Sequence, residues 1–196
     1  MRAGRLVRLI GIAMLAVAAA GCGASAPARF YTLDSTASPD GAPLAHATVM
    51  VGPVTIPAAV DQPQFVMRVA PNRVEVDEFN RWVAPLNDSI ARAVAGDLAV
   101  ELGTPDVATA PLANFNPAYT VIIGVQRFES VRGDSALIDA VWTVRKTASG
   151  ETRSGRTIAR EAARGDSFDA LAAAHSRALA KLSGDLAVAI RMEAAR

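Results

Sequence analysis

The 196-residue chain contains one cysteine and two histidines, and this shortage excludes several kinds of site. A single cysteine cannot form a disulfide within the chain or supply the paired thiolates of a structural zinc site. His46 and His175 have no histidine, cysteine or acidic residue at a ligand spacing such as His-x-x-x-His. The sequence therefore predicts no metal site and no internal disulfide.

The chain also lacks the short motifs of common enzymes. It has no Gly-x-Ser-x-Gly elbow, no phosphate-binding loop and no Gly-x-Gly-x-x-Gly. Glu75, Asp77 and Glu78 lie among valines, which favours a solvated strand face over a catalytic carboxylate pair. We predict a protein that is not an enzyme and needs no cofactor. A hydrolase whose triad assembles in space, using His46 or His175, is the alternative.

The charge balance argues against a nucleic-acid partner. The whole chain has 20 basic and 19 acidic residues. Three of the basic residues, Arg2, Arg5 and Arg8, lie at the N-terminus, which leaves 17 against 19 and a net charge of −2 in the rest. Binding to phosphates needs a basic surface. The composition does not supply one, so we predict no nucleic-acid binding.

The N-terminus has the layout of a bacterial lipoprotein leader. A basic start precedes an apolar run from Leu9 to Ala20, which is too short for a comfortable membrane span. The sequence Ala19-Ala20-Gly21-Cys22 resembles a lipobox, with Ala19 in place of the usual leucine. We predict a signal peptide over residues 1–21, lipid attachment at Cys22 and a tether over residues 22–28. An ordinary signal peptide before a chance cysteine is the alternative.

Apolar alternation and turn residues predict the strands of one domain over residues 29–196. The turn Ala70-Pro71-Asn72 joins two of the strands into a hairpin. The last strand is the most charged, which indicates a sheet edge. The run Val121-Ile122-Ile123 predicts burial on both faces of its strand. The predicted strands cover residues 29–33, 48–56, 64–69, 73–77, 118–130, 135–147 and 152–163.

Two amphipathic helices complete the predicted domain. In the first, apolar residues recur every four positions from Ile90 to Leu102, with Asn87 or Asp88 as N-cap and Gly103 as the stop. The second runs from about Ser167 to Glu193 and places His175 on its apolar stripe, as a hydrogen-bonded structural histidine. The predicted fold is α/β, a mixed β-sheet covered by two main helices.

Exposed turns and one tryptophan are the candidate contact residues. A tryptophan in a polar setting offers a large apolar area with few rotatable bonds, which suits contact with a partner. The alternative for Trp82 is that its ring covers the core beneath the first helix. The candidate partner-binding residues are Pro53, Pro57, Pro63, Pro71, Asn72 and Trp82.

Several segments together resemble the ABC-type transport auxiliary lipoproteins, a group that includes the paraquat-inducible lipoprotein PqiC of Gram-negative bacteria. Gln62 stands where arginine is expected, and Phe65 where a smaller aliphatic residue is common. The resemblance implies a fold similar to the N-terminal domain of TolB and carries over no catalytic residue. The matching segments are Phe30-Tyr31-Thr32-Leu33, Val51-Gly52-Pro53-Val54, Asp61-Gln62-Pro63-Gln64, Asn72-Arg73-Val74, and Glu78-Phe79-Asn80-Arg81-Trp82 with Pro85-Leu86.

The resemblance also implies a function and a location. It implies a lipoprotein of the outer membrane, facing the periplasm, that works beside an MCE-domain protein and inner-membrane ABC components in lipid transport. Gly23, which replaces aspartate after the cysteine, agrees with an outer-membrane destination. The expected partners are membrane lipids through the acyl anchor, the MCE-domain protein and, by analogy with its rings, further copies in a homo-oligomeric ring. The alternative is a periplasmic lipid- or ligand-binding lipoprotein with its own pocket.

Overall fold

A computed structural model of the protein describes residues 26–111 and 113–195. The predicted signal peptide, Cys22 and the first part of the predicted tether lie outside these residues. None of the helices in the described residues has the length and hydrophobicity of a membrane span.

Eight strands form one mixed sheet in the described residues. The predicted strands are all present, and a two-residue strand, β5, was not predicted. The strands are β1 (Arg29–Tyr31), β2 (Val49–Thr55), β3 (Gln64–Ala70), β4 (Arg73–Trp82), β5 (Val107–Ala108), β6 (Tyr119–Val131), β7 (Ser135–Lys146) and β8 (Thr152–Ala162).

Strand β6 is the centre of the sheet. On one side it pairs antiparallel with β7, which pairs antiparallel with β8. On the other side its first half pairs in parallel with β2, and Ser130 near its end pairs in parallel with Met67 of β3. The β2 arm continues to β5, and the β3 arm continues through β4 to β1. The sheet therefore divides beside β6, and a single 3₁₀ turn, Ala58–Val60, links the two arms.

Helices α1 (Leu86–Leu102) and α2 (Phe168–Ala194) pack against each other and cover the same face of the sheet. The predicted N-cap of α2, Ser167, and the predicted stop of α1, Gly103, are confirmed. The Ser167 hydroxyl accepts a hydrogen bond from the Ala170 N–H at 3.1 Å, and Gly103 adopts a left-handed φ of 63°. Ile90, Val94, Leu98 and Leu102 are fully buried. The predicted mixed sheet with two covering helices is thus confirmed.

Two sequence-based expectations were wrong. The N-cap of α1 is Pro85, not Asn87 or Asp88. Proline suits a helix start because it has no N–H to leave unpaired, and Asp88 instead places its charge in the first turn, toward the positive helix end. The run at residues 121–123 is buried on one face only, since Ile122 is 42% exposed. Both helices lie on the other side of the sheet, and no element of the described residues covers the Ile122 face.

Candidate docking surface

The structure places Pro57, Pro71 and Asn72 around one surface depression, which we call the hairpin cleft. It lies where the β2 and β3 arms diverge beside β6, and its volume is about 390 Å³. Val60, Val66, Val74 and Phe128 form much of its apolar wall. These residues are far apart in the sequence. They come together in the fold because the β2 and β3 arms both pack beside β6.

Pro63 and Trp82 line a second depression of about 380 Å³, the tryptophan depression. Phe30, which follows the predicted tether, also lines it. Trp82 itself is only 5% exposed, so the alternative interpretation, in which the ring covers the core, describes its position. Partner contact through Trp82 stays a prediction, restricted to the small exposed part of the residue that borders this depression. Pro53 is exposed at an irregularity of β2 and lines neither depression.

An aromatic cluster holds the hairpin of β3 and β4 to the rest of the fold. The Phe65 ring stacks on Trp82 with centroids 4.1 Å apart and meets Phe168 of α2 edge-on at 5.2 Å. Tyr31 of β1 contacts Phe65 edge-on at 5.3 Å. Aromatic pairs in these geometries contribute roughly 0.5–1.5 kcal/mol beyond their buried area. Both depressions are therefore built on a well-packed support.

Three arginines (Arg68, Arg73 and Arg127) and one glutamate (Glu129) are the charged residues that line the hairpin cleft. Glu129 on β6 accepts two hydrogen bonds from Arg127, both at 3.0 Å, and one from Arg68 at 2.8 Å. Burial raises the pKa of Glu129, but these hydrogen bonds outweigh burial and hold the pKa below its ordinary value. The cleft therefore combines an apolar wall with a net positive rim, a pattern that the sequence does not reveal because 61 residues separate Arg68 on β3 from Glu129 on β6.

His175 is buried completely, as predicted for a structural histidine. Its ring stacks on Phe128 with centroids 3.8 Å apart, and its Nε2 lies 2.8 Å from the Ser130 hydroxyl. Ser130 is 1% exposed, so neither member of this pair reaches a substrate in solution. His46 is exposed on the loop before β2. Among the described residues, no three histidine, cysteine or acidic side chains cluster as metal ligands.

His175 should make the protein less stable in mild acid. Burial lowers the pKa of His175 to about 3, whereas the ordinary value is 6.5. The unfolded chain therefore binds a proton below pH 6.5 that the folded chain excludes, and stability falls as the pH drops from 6.5 toward 3. Between pH 7 and pH 5 this group should lower the free energy of unfolding by about 2 kcal/mol.

Urea unfolding at the two pH values measures this effect. His175→Gln retains a hydrogen-bonding side chain but not the titration, so its stability should change by about 2 kcal/mol less between pH 7 and pH 5 than that of the wild type. Equal changes in the two proteins would show that the burial of a neutral His175 does not control acid sensitivity.

The sequence profile of the ABC-type transport auxiliary lipoprotein component family matches residues 31–187. A crystal structure of an uncharacterised protein is 19% identical, with a TM-score of 0.69, and covers 84% of this chain and 99% of that one. A crystal structure of a DUF330 protein from Xanthomonas campestris is 18% identical, with a TM-score of 0.70, and covers 86% of this chain and 100% of that one. These two likenesses establish the shared fold.

A third solved structure is more distant. The PelC dodecamer from Paraburkholderia phytofirmans is 15% identical, with a TM-score of 0.41, and the likeness covers 76% of this chain and 93% of that one. A TM-score this low does not support a conclusion about the oligomeric state of this protein. No curated protein matches the chain.

Proposed function

The chain belongs to the ABC-type transport auxiliary lipoprotein family, and we propose that it is the outer-membrane lipoprotein of an MCE-type system for intermembrane lipid transport. In this role it is a periplasm-facing adaptor that docks the MCE-domain protein at the outer membrane. The observation that carries the proposal is the family match, which spans residues 31–187. The lipobox-like residues that end at Cys22 support a lipid anchor at the N-terminus.

The position of β1 supports an arrangement with the docking surface close to the membrane. The tether over residues 22–28 leads directly into β1, and Phe30 of β1 lines the tryptophan depression. Seven extended residues span at most about 25 Å. An acyl chain on Cys22 would therefore hold this depression within roughly that distance of the bilayer surface, where the end of a periplasm-spanning partner would meet it.

Replacement of the lipidated cysteine tests the anchor. Cys22→Ser should move the protein from the outer-membrane fraction to the soluble periplasmic fraction, because each buried acyl methylene contributes about 0.8 kcal/mol to membrane binding. Cell fractionation followed by immunoblotting measures the distribution. Ser25→Ala, three residues along the predicted tether, is the matched control and should stay in the membrane. A Cys22→Ser protein that remains in the outer-membrane fraction would contradict lipid anchoring.

The hairpin cleft favours one second candidate, a lipoprotein that binds a lipid or another ligand itself. Its volume of about 390 Å³ lies within the range of small-ligand sites, and such sites are usually lined by apolar residues, as this cleft is. Mass spectrometry of organic extracts from the purified full-length protein tests this function. A stoichiometric lipid that is lost on Val66→Glu, within the cleft, and retained on Val188→Glu, on α2, would establish it.

A further inference from the structure

The sheet face opposite the helices has no covering layer in the described part of the chain, and we call its β6, β7 and β8 portion, with Arg68 of β3, the open sheet face. Cross-strand register defines its rows, such as Ile122 beside Thr143 and Ser154, and Gly124 beside Val141 and Arg156. The opposite residues of the same strands, such as Val121, Ile123 and Val144, are fully buried under the helices. This surface lies next to the hairpin cleft, because Arg68, Arg127 and Glu129 border both.

The open sheet face exposes large apolar side chains where solvated sheet faces usually carry polar ones. Ile122 and Val141 are each 42% exposed, and Ile158 is 60% exposed. Ile122, Gly124 and Val141 line a depression of about 600 Å³ on this face. A Cβ at Gly124 would lie 3.3 Å from the Val141 side chain. Because glycine has no side chain, the depression is deeper at this position. The depression can accept an apolar side chain from outside.

The same face concentrates positive charge. The strand positions that alternate onto this face hold five arginines and two acidic residues, Glu129 and Asp139, although the chain after the predicted leader has a net charge of −2. Arg156 donates two hydrogen bonds to the buried Asp139, at 2.8 and 2.7 Å, and Arg127 and Arg68 share Glu129. Arg145 has no ion pair with any described residue. The five arginines are Arg68, Arg127, Arg145, Arg156 and Arg160.

The charge and the shape of the open sheet face indicate which kind of molecule binds to it. A second copy that presented the same face would meet it with like charge, which disfavours association. A flat bilayer surface contacts projecting side chains, whereas Gly124 and its neighbours form a recess. An extended or helical protein segment with acidic residues beside apolar ones would pair with the arginines and fill the recess.

We propose that the open sheet face docks an acidic, amphipathic segment of the partner protein. The inference builds on the proposed function and goes further, because it adds a contact at this face to the one at the tryptophan depression and gives the charge of the segment. The apolar side chains of that segment fill the depression over Gly124. Its carboxylates pair with Arg145 and with the outer edges of the arginines already bound to Asp139 and Glu129.

Site-specific photo-crosslinking in cells tests the proposal on the full-length lipoprotein. A photoreactive phenylalanine analogue is placed at Ile122 or at Ile158, and at Val188, a 50% exposed residue of α2, as the matched control. Crosslinked peptides are identified by mass spectrometry. We expect both sheet positions, but not Val188, to capture a segment with a net negative charge from one envelope protein. Capture of lipid, of a second copy or of a non-acidic segment would overturn the proposal, as would no capture at either sheet position.

The same experiment separates this proposal from the proposed function. An acidic segment from a protein without an MCE domain would support the open sheet face as the docking surface and contradict the MCE adaptor role. An MCE-domain protein captured only from other surfaces would do the opposite. As a second readout, Arg145→Glu should lower the crosslinking yield at Ile122 about tenfold, while Arg92→Glu, an exposed charge reversal on α1, should leave it unchanged. An unchanged yield in Arg145→Glu would contradict the charge argument.

Discussion

Replacing Phe65 with alanine should lower the free energy of unfolding by about 3–5 kcal/mol, which is the range for truncation of a buried aromatic residue. Phe65 is fully buried and contacts Tyr31 of β1, Trp82 of β4 and Phe168 of α2. The substitution would leave a cavity where four elements meet, and rigid rings on three sides would prevent its collapse. Equilibrium urea unfolding of the membrane-released Cys22→Ser background gives the measurement.

Phe79→Ala is the matched control, because Phe79 belongs to the same hairpin but is 45% exposed. Its truncation should change the free energy of unfolding by no more than about 0.5 kcal/mol. Equal losses in the two variants would show that the aromatic cluster does not hold the hairpin to the fold. A large loss confined to Phe65 would show that the cluster stabilises the fold on which both depressions are built.

Replacing Asp97 with alanine should cost about 3 kcal/mol and release the segment after β1. Asp97 lies on α1, is fully buried, and accepts hydrogen bonds from the Ser35 hydroxyl at 2.8 Å and from the Thr36 and Ala37 N–H groups at 2.8 and 2.9 Å. Ser183 of α2 donates a further bond at 3.2 Å. One carboxylate thus joins both helices to the long connection between β1 and β2.

Hydrogen exchange provides the local readout for Asp97. In the wild type the amide protons of Thr36 and Ala37 should be protected, and in Asp97→Ala they should exchange as in an open loop. Asp97→Asn keeps one acceptor oxygen and should retain most of the protection. Asp88→Ala, an exposed carboxylate on the same helix, should leave both amides unchanged. Protection that survives in Asp97→Ala would show that packing alone holds the segment.

Periodicity predicted the parts of the fold that depend on burial of one face. The stripe from Ile90 to Leu102, the stripe of α2 and the hairpin turn at residues 70–72 all follow from local patterns that packing then reinforces. The edge position of β8 followed from its charge. The mixed sheet with two helices was thus available from the sequence, and the family resemblance is confirmed by the match to residues 31–187.

Features that depend on which layers cover the sheet could not be predicted. Ile122 lies in an apolar run, and only the placement of both helices on one side leaves it exposed. Asp97 occupies a helix position that looks solvated in the sequence, because its partners at residues 35–37 are distant along the chain.

Of the predicted contact residues, the structure gathers Pro57, Pro71 and Asn72 and places Pro63 beside Trp82, whereas Pro53 lies apart. Their contact with a partner stays a prediction.

The proposed function is that this lipoprotein docks an MCE-domain protein at the outer membrane. Its most direct test is affinity purification of the tagged full-length lipoprotein from mild-detergent extracts of the source bacterium, followed by size-exclusion chromatography and mass spectrometry. We expect an MCE-domain protein to co-elute with the lipoprotein in a fixed ratio. A lipoprotein that elutes without any MCE-domain protein, while that protein is intact in the same extract, would contradict it.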